Sequence, residues 1–239
     1  MQAGILATFA LTSVWYRIPG TQPILLFTPL YTVRFAIFLA MLWTVGWWLI
    51  AGLPGFAELR RDRLRGLWAL GLLTLALWAY ASTTWAFQRV DYPEVGETAA
   101  LQLSVVALFA VVVACCSPLA RYVALALVLG LIGNTQITML QVASQRDLGL
   151  RWLGEFSLGP DFPGVSVVQS GAVRWLRPYG LLPHPNILAG ILVIGLLASV
   201  VWIISSRQQI RWLGTLVFLA GLWALLLTFS RGAWGSFAA

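Results

Sequence analysis

The chain of 239 residues contains no lysine, one histidine and two cysteines, and only 10% of its residues are charged. The two cysteines, Cys115 and Cys116, are adjacent in an apolar run, so the sequence offers no set of metal ligands. It also lacks a glycine-rich phosphate loop, a paired-carboxylate motif and a catalytic-triad pattern. We therefore predict no metal, no cofactor, and no soluble nucleotide-binding or triad-hydrolase site.

Apolar residues dominate the chain instead. They make up 60% of it, including 13 tryptophans, and the mean hydropathy is +0.85. A soluble domain of this size has no interior large enough to bury so much apolar surface. The composition predicts an all-α, polytopic transmembrane helical bundle that forms a single membrane domain over residues 1–239.

Six segments are long and apolar enough to cross a bilayer, which takes about 20 residues per span. They comprise residues 35–53, 67–87, 99–117, 122–144, 187–205 and 212–229. Residues 1–16 are apolar but short, and we expect a partial helix there and no signal peptide, because no basic residue precedes the apolar run. Prolines interrupt residues 17–34, which predicts an interfacial or partly re-entrant segment.

The basic residues are all arginines, and their distribution predicts the orientation. Four of them lie within residues 60–65, which places that loop in the cytoplasm by the positive-inside tendency. The cytoplasmic loops then hold seven arginines against two acids, and the external segments hold eight arginines against six acids. The longest external loop covers about residues 145–183.

The external segments hold more arginines than the positive-inside tendency would place there. We interpret Arg174, Arg177 and Arg231 as contacts for an anionic ligand. A lipid or lipid-linked anion fits this surplus better than a nucleic acid, because no nucleic-acid recognition motif is present.

An alternative is that the external arginines pair with nearby acids. Arg146 adjoins Asp147, and Arg151 lies four residues before Glu155. Such pairs would neutralise the surplus without any ligand.

A polar group lies in the segment 122–144. Asn134, Thr138 and Gln141 fall on one helical face by their spacing. Such a face avoids lipid, and we expect it to form hydrogen bonds between helices, with a wet cavity as the alternative.

The stretch 171–190, GAVRWLRPYGLLPHPNILAG, joins the long loop to the next span. Asn186 precedes an aliphatic run, which predicts a helix N-cap there and a helix over residues 187–205. Arg174, Arg177 and His184 lie just upstream, and a helix N-terminus presents unpaired N–H groups, so we predict an anion site. The alternative is a structural junction in which Asn186 caps, the prolines stop the loop and the arginines contact lipid headgroups.

Three motifs in this region resemble the bacterial O-antigen ligase and O-antigen polymerase superfamily. Its pattern is Arg-x-x-Gly, then His/Asn-Pro-Asn at a helix start, then Thr-x-Ser-Arg-Gly at a helix end. Arg177 and Gly180 match the first motif, residues 184–186 match the second, and residues 228–232 match the third. The likeness covers about residue 147 to the C-terminus.

The resemblance implies a glycosyltransferase of the cytoplasmic (inner) membrane. Such an enzyme transfers a glycan from undecaprenyl diphosphate to the hydroxyl of a glycan or lipid-linked acceptor at the outer face, without a metal. With the arginine surplus, it implies substrate binding by the residues Arg231, Arg177, Arg174, Asn186 and Ser230. Arg231 would be the first diphosphate contact, Arg177 the second, and Asn186 would cap and orient its helix.

Members of that family place a further arginine and a catalytic histidine in a large external loop after the Ser-Arg-Gly motif. The present sequence ends eight residues after Arg231, so we expect an incomplete chain, inactive alone, whose catalytic residue is unknown. His184 stands beside two prolines, and we interpret it as structural and not as the base.

Functions of two other classes stay open. The chain could be a transporter or flippase, or a non-catalytic accessory protein that binds an anionic lipid-linked glycan. We find no inverted repeat and no charged residue inside the predicted spans, which argues against transport. Ligase and polymerase share the same donor chemistry, so the motifs do not separate them.

Overall fold

A computed structural model describes residues 1–12, 32–85 and 93–239. Two short strands, β1 (Val167–Ser170) and β2 (Val173–Leu176), form an antiparallel hairpin, and one turn of 3-10 helix covers Arg151–Leu153. All other regular elements in these ranges are α-helices. They are α1 (Gln2–Leu11), α2 (Thr32–Ile50), α3 (Phe56–Arg61), α4 (Arg63–Ser82), α5 (Pro93–Cys116), α6 (Ala120–Ser144), α7 (Pro185–Ser205), α8 (Gln208–Leu227) and α9 (Arg231–Ala238).

Five helical segments in the described residues are long and apolar enough to cross a membrane. They are Arg63–Ser82, Ala99–Cys116, Ala120–Ser144, Pro185–Ser205 and Gln208–Leu227. The predicted all-α membrane bundle is therefore confirmed, and the chain is a multi-pass membrane protein. Six spans were predicted; the first of them, residues 35–53, corresponds to the 19-residue helix α2, which is not one of these five segments.

The predicted start of the second span was wrong because of a local helix cap. Helix α4 begins four residues before the predicted span because Asp62 is its N-cap and accepts the N–H groups of Leu64 and Arg65, both at 3.1 Å. The partial N-terminal helix predicted over residues 1–16 corresponds to α1. Residues 13–16 and most of the predicted interfacial segment lie outside the described residues.

The chain divides into two compact units, built mainly from residues 35–118 and from residues 119–239. Helices α4 and α5 pack together in the first unit, and α6, α7 and α8 pack together in the second. The prediction of a single membrane domain stays a prediction. All the residues expected to bind substrate belong to the second unit.

Small residues allow the helices of the second unit to approach closely. Gly195 of α7 and Gly221 of α8 both face Leu131 of α6, and a Cβ atom at Gly195 would lie 2.8 Å from the Leu131 Cβ. Lipid chains are as apolar as leucine, so van der Waals contact at such positions, and not exclusion of water, holds membrane helices together. This three-helix bundle supports the loop between α6 and α7.

Polar side chains of α6 hold that loop. Gln141 Oε1 accepts the N–H groups of Tyr179 and Gly180, both at 2.9 Å, and Gln141 Nε2 donates to the Gly180 carbonyl at 3.1 Å. Asn134 Oδ1 accepts the Leu181 N–H at 3.1 Å. Gln141 and Asn134 lie about 4.5 and 15 Å before the end of α6, at 1.5 Å per residue. The turn at Gly180 therefore lies inside the bundle.

The predicted polar face is confirmed, but its role differs from the expected one. Asn134, Thr138 and Gln141 are all buried. The bonds of Gln141 reach loop residues, so the prediction of bonds between helices is wrong for Gln141. The cause is that irregular backbone inside a bundle needs internal partners. Gly180 has φ +60° and a Cβ there would lie 2.6 Å from Asn134 Oδ1, so only glycine fits this turn.

Candidate anion-binding site

Arg177 connects the three matched motifs. Its Nε donates to the Thr228 carbonyl at 2.8 Å, its Nη2 to Asn186 Oδ1 at 2.8 Å, and its Nη1 to Ser166 Oγ at 3.0 Å. Thr228 ends α8, 51 residues away in sequence, and Asn186 lies in the first turn of α7. One side chain therefore links the residue after β2 to the start of α7 and the end of α8.

The hydrogen-bond partners of Arg177 are all neutral oxygen atoms. Its first partner is the carbonyl of the α8 C-cap, at the helix end that carries partial negative charge. Burial lowers the pKa of the Arg177 guanidinium, but arginine stays protonated at neutral pH. Three of its five N–H groups donate to the protein, so Arg177 is well placed to hold the junction, and one N–H group on each Nη atom is left for another acceptor.

The α7 N-terminus has no unpaired N–H group in its first turn, so the backbone donors expected of an anion site there are already used. The helix begins at Pro185, which has no N–H, and His184 is the N-cap in place of Asn186. His184 Nδ1 accepts the Asn186 N–H at 3.1 Å. The His184 carbonyl accepts the N–H groups of Ile187 and Leu188, both at 3.0 Å. Only the helix dipole is left to attract an anion at this end.

The sequence prediction that Asn186 caps α7 is therefore wrong. The Asn186 side chain is bound to Arg177 and does not cap the helix. His184 Nδ1 accepts the Asn186 N–H, and the ring packs edge-on against Tyr179 with centroids 6.2 Å apart. This cap agrees with the structural interpretation of His184.

The α9 N-terminus has the opposite character. Arg231 is the first residue of α9 and is exposed. Within the part of the chain that the structure describes, no hydrogen bond uses the backbone N–H groups of Arg231, Gly232 or Ala233, and no acid pairs with Arg231. Ser230 is the N-cap residue, only 8% exposed, yet its side chain does not cap the helix. Three backbone donors and one guanidinium thus share this helix end, an arrangement suited to a phosphate.

Hydrogen bonds hold the turn between α8 and α9. Thr228 Oγ1 donates to the Leu225 carbonyl at 2.6 Å and accepts the Ser230 N–H at 3.3 Å. Trp234 Nε1 donates to the same Leu225 carbonyl at 3.0 Å. Both side-chain donors therefore meet at one carbonyl in the last turn of α8, which also accepts the Thr228 N–H at 3.2 Å. These bonds tie the first turn of α9 to the end of α8.

The same turn contains an unfavourable backbone conformation. Phe229 has φ +52°, a left-handed conformation that costs a non-glycine residue about 1–2 kcal/mol. Surrounding contacts must hold such a residue in place. The bond from Arg177 to the Thr228 carbonyl is one of them, so the position of Arg231 depends on Arg177.

Ser166 attaches the hairpin to this junction. Its carbonyl accepts the Arg177 N–H at 3.1 Å, and its own N–H donates to the Tyr179 hydroxyl at 2.9 Å. Tyr179 is 5% exposed, and this second contact is partly buried. Ser166 thus fixes the segment before β1 against the segment after β2.

Arg174 does not join these contacts. It lies on β2 opposite Gln169, beside the two-residue turn that Gly171 starts with φ +58°. Its neighbours Val173 and Trp175 are 54% and 51% exposed. No contact among the described residues joins Arg174 to the junction, so the structure separates it from the other predicted ligands.

The acids of the long loop bind neutral donors. Glu155, 5% exposed, accepts the N–H groups of Leu148 at 2.8 Å and Leu150 at 2.6 Å, and Gln141 Nε2 at 2.8 Å. These bonds fold the chain that follows α6 around a buried carboxylate.

Consequently the alternative of arginine–acid pairs in this loop is wrong. Asp147 Oδ2 faces the Leu158 N–H at 3.4 Å instead of Arg146, and Glu155 does not pair with Arg151. Across the described residues, the ion pair that forms is Arg65–Asp62. The two carboxylates bind backbone N–H groups because these N–H groups lie within the folded loop, whereas the side chains of Arg146 and Arg151 are exposed.

Several residues of the junction carried no usable sequence signal. Ser166 is a single serine in a loop, and Thr228 contributes its backbone carbonyl, which any residue would supply. Glu155 carried no signal for its burial either, since glutamate is mostly exposed in proteins.

Comparisons of the chain with protein-family models, with curated proteins and with solved structures find no match. The fold therefore defines a class and not a family, and the class is a multi-pass helical membrane protein. Where α8 meets α9, the chain has an exposed arginine, Arg231, at a helix N-terminus.

Proposed function

We propose that this chain belongs to a glycosyltransferase of the O-antigen ligase or polymerase type. The supporting observation is that three short motifs meet at one guanidinium: Arg177 of the first motif binds Asn186 of the second and Thr228 of the third. Residues brought together from distant parts of a chain, next to unpaired anion donors, are the usual mark of a substrate site.

The proposed donor is a glycan on undecaprenyl diphosphate at the outer face of the cytoplasmic membrane. Its diphosphate binds at the N-terminus of α9, where Arg231 and the unpaired backbone N–H groups supply positive charge. Arg177 acts indirectly, because it holds the turn that precedes Arg231. Ser230, buried beside these donors, is placed to add a hydrogen bond.

In the proposed reaction, an acceptor hydroxyl attacks the anomeric carbon of the donor sugar. The bond from that carbon to the diphosphate oxygen breaks, and undecaprenyl diphosphate leaves with the electron pair. The hydroxyl proton passes to a base outside the described junction, since His184 Nδ1 and the Glu155 carboxylate are already hydrogen-bonded. Donors that meet charge as it develops each contribute about a hundredfold to a thousandfold in rate.

A second candidate is a non-catalytic protein that binds the same lipid-linked glycan. It is favoured by the engagement of both nearby proton acceptors, His184 and Glu155, in structural hydrogen bonds. Binding without transfer would distinguish it from the enzyme.

The test is glycan transfer from an undecaprenyl-diphosphate donor in membranes that contain the complete gene product. We expect Arg231→Ala to lower transfer by about a hundredfold or more, because it removes a charged donor to the leaving group. The matched control is Arg174→Ala, which removes an exposed arginine from the hairpin and should change transfer by no more than about twofold.

Two outcomes decide between the candidates. Transfer at the wild-type rate by Arg231→Ala would overturn the assignment of the site. Donor binding that depends on Arg231, with no transfer by the wild-type protein, would replace the enzyme with the binding protein.

A further inference from the structure

A second basic surface lies in the other unit, at residues 55–65, and is named the basic corner. It contains the six-residue helix α3, the residue Asp62 and the first turn of α4. Because α3 follows the apolar helix α2 and precedes the span α4, the basic corner lies at a membrane surface.

The corner is firmly attached to the helices around it. Gly55 has φ +78° and approaches the Cys115 carbonyl so closely that a Cβ atom would overlap it. Leu59 is 4% exposed and packs against Ala69 of α4 and Val111 of α5. The orientation of α3 is therefore set by α4 and α5, and its charged side chains project from a fixed backbone.

Contacts of Trp48 also fix the segment that precedes α3. Trp48 Nε1 donates to the Pro54 carbonyl at 3.0 Å. The Trp48 ring also meets the Phe56 ring edge-on, with centroids 6.2 Å apart. The link between α2 and α3 thus holds α3 at the end of α2.

Three arginines of the corner have no acidic partner in the described residues. Asp62 is already engaged, since it caps α4 and pairs with Arg65 at 3.1 Å. Arg60, Arg61 and Arg63 are exposed and form no ion pair there. Glu58 is the other acid of the corner, and it offsets one of these three charges.

Exposed apolar side chains adjoin these arginines on α4. Leu64 is 80% exposed, Leu67 56% and Trp68 51%. A free phosphate ion gains nothing from such neighbours. A phospholipid does, because its acyl chains cover them while its headgroup meets the arginines.

We propose that the basic corner is a binding site for anionic phospholipid, with the headgroup phosphate on Arg60, Arg61 and Arg63 and the acyl chains along the exposed face of α4. The ligand is a lipid of the surrounding leaflet, chemically distinct from the glycan donor proposed above. This site does not depend on the proposed function.

The experiment measures binding of phosphatidylglycerol to the purified full chain in neutral detergent by native mass spectrometry. The variant Arg60→Gln/Arg61→Gln/Arg63→Gln should weaken binding by about a hundredfold, as about 1 kcal/mol per arginine at a lipid surface implies. The control Arg121→Gln/Arg207→Gln/Arg211→Gln removes the same charge from three other exposed arginines and should change binding by no more than about threefold.

Two further arms keep the outcome interpretable. The variant Arg60→Lys/Arg61→Lys/Arg63→Lys keeps the charge and should bind within about tenfold of wild type, which separates lost recognition from lost folding. Equal losses in the two glutamine variants, or wild-type binding by the first, would overturn the proposal. Displacement of the lipid by millimolar inorganic phosphate would also overturn it, because the acyl part would then be irrelevant.

Discussion

The N-termini of α7 and α9 belong to the same unit but differ in their free hydrogen-bond donors. In α7, a proline at the first position and the His184 cap leave no unpaired N–H group in the first turn. In α9, the Ser230 side chain does not cap, and the N–H groups of Arg231, Gly232 and Ala233 have no partner among the described residues. Helix polarity is the same in both, so the difference comes from the cap and from the proline at the first position of α7.

The two arginines of these motifs differ in the same way. Arg177 donates three of its five N–H groups to protein acceptors, whereas Arg231 is exposed and forms no ion pair within the described residues. A helix N-terminus or an arginine therefore indicates an anion site only where its donors are not already used by the protein. By that criterion we propose α9 as the helix end that binds the ligand, with α7 and Arg177 as its support.

The largest effect on diphosphate binding is expected from a substitution that pairs the free N–H groups at the α9 N-terminus. Ser230→Asp places a carboxylate at the N-cap, where it accepts N–H groups of the first turn and repels a diphosphate. We expect undecaprenyl diphosphate binding to weaken by about a hundredfold while thermal stability is unchanged or higher, since a cap contributes about 1 kcal/mol. Binding by fluorescence titration and unfolding by circular dichroism check the two parts.

Ser230→Asn is the matched control for that substitution. It also caps but adds no charge, so it should weaken binding by less than Ser230→Asp. Unchanged binding in both variants would place the anion elsewhere. A loss of stability in Ser230→Asp would show that the first turn of α9 is already satisfied.

A smaller effect is expected when the link between the two helices is changed. Arg177→Lys keeps the charge but cannot bind three acceptors in the fixed geometry of a guanidinium. We expect loss of about 2 kcal/mol of stability, at about 1 kcal/mol per lost hydrogen bond, and about tenfold weaker diphosphate binding as the turn around Phe229 loosens. Denaturant unfolding and the same titration measure both.

Asn186→Ala tests that link from its other end. It removes one acceptor of Arg177 and should cost about half as much stability as Arg177→Lys. If Arg177→Lys abolished binding without any loss of stability, Arg177 would be a direct ligand, and its supporting role would be wrong.

The smallest effect is expected from uncapping α7. His184→Ala removes the acceptor of the Asn186 N–H and should lower stability by about 1 kcal/mol, whereas His184→Asn keeps a cap and should recover most of it. Glycan transfer by the complete gene product should stay within about twofold of wild type after either change. Loss of transfer in both variants at unchanged stability would identify His184 as the proton acceptor.

The spans were predictable because each is a long apolar run, and the bilayer requires about 20 such residues. Their ends were less predictable, as Asp62 shows: it caps α4 from within a run of arginines that looked like loop. The hairpin was missed although its signal was present, since VVQS and VRWL flank the two residues Gly171 and Ala172.

Capping of α7 could not be derived from the sequence alone. Asparagine is a common N-cap and histidine is not, so Asn186 was the better choice on local grounds. The Asn186 side chain is instead drawn to Arg177, and Arg177 is positioned by Thr228, 51 residues away. Such a choice depends on tertiary contacts, and a single sequence does not contain them in readable form.

Binding of undecaprenyl diphosphate to the wild-type chain, Arg231→Ala and Arg174→Ala tests the central claim most directly. If α9 holds the anion, Arg231→Ala should weaken binding by about tenfold or more, as loss of a charged hydrogen bond implies, and Arg174→Ala should bind like wild type. Equal binding by wild type and Arg231→Ala, or an equal loss in the two variants, would contradict a diphosphate site at the N-terminus of α9.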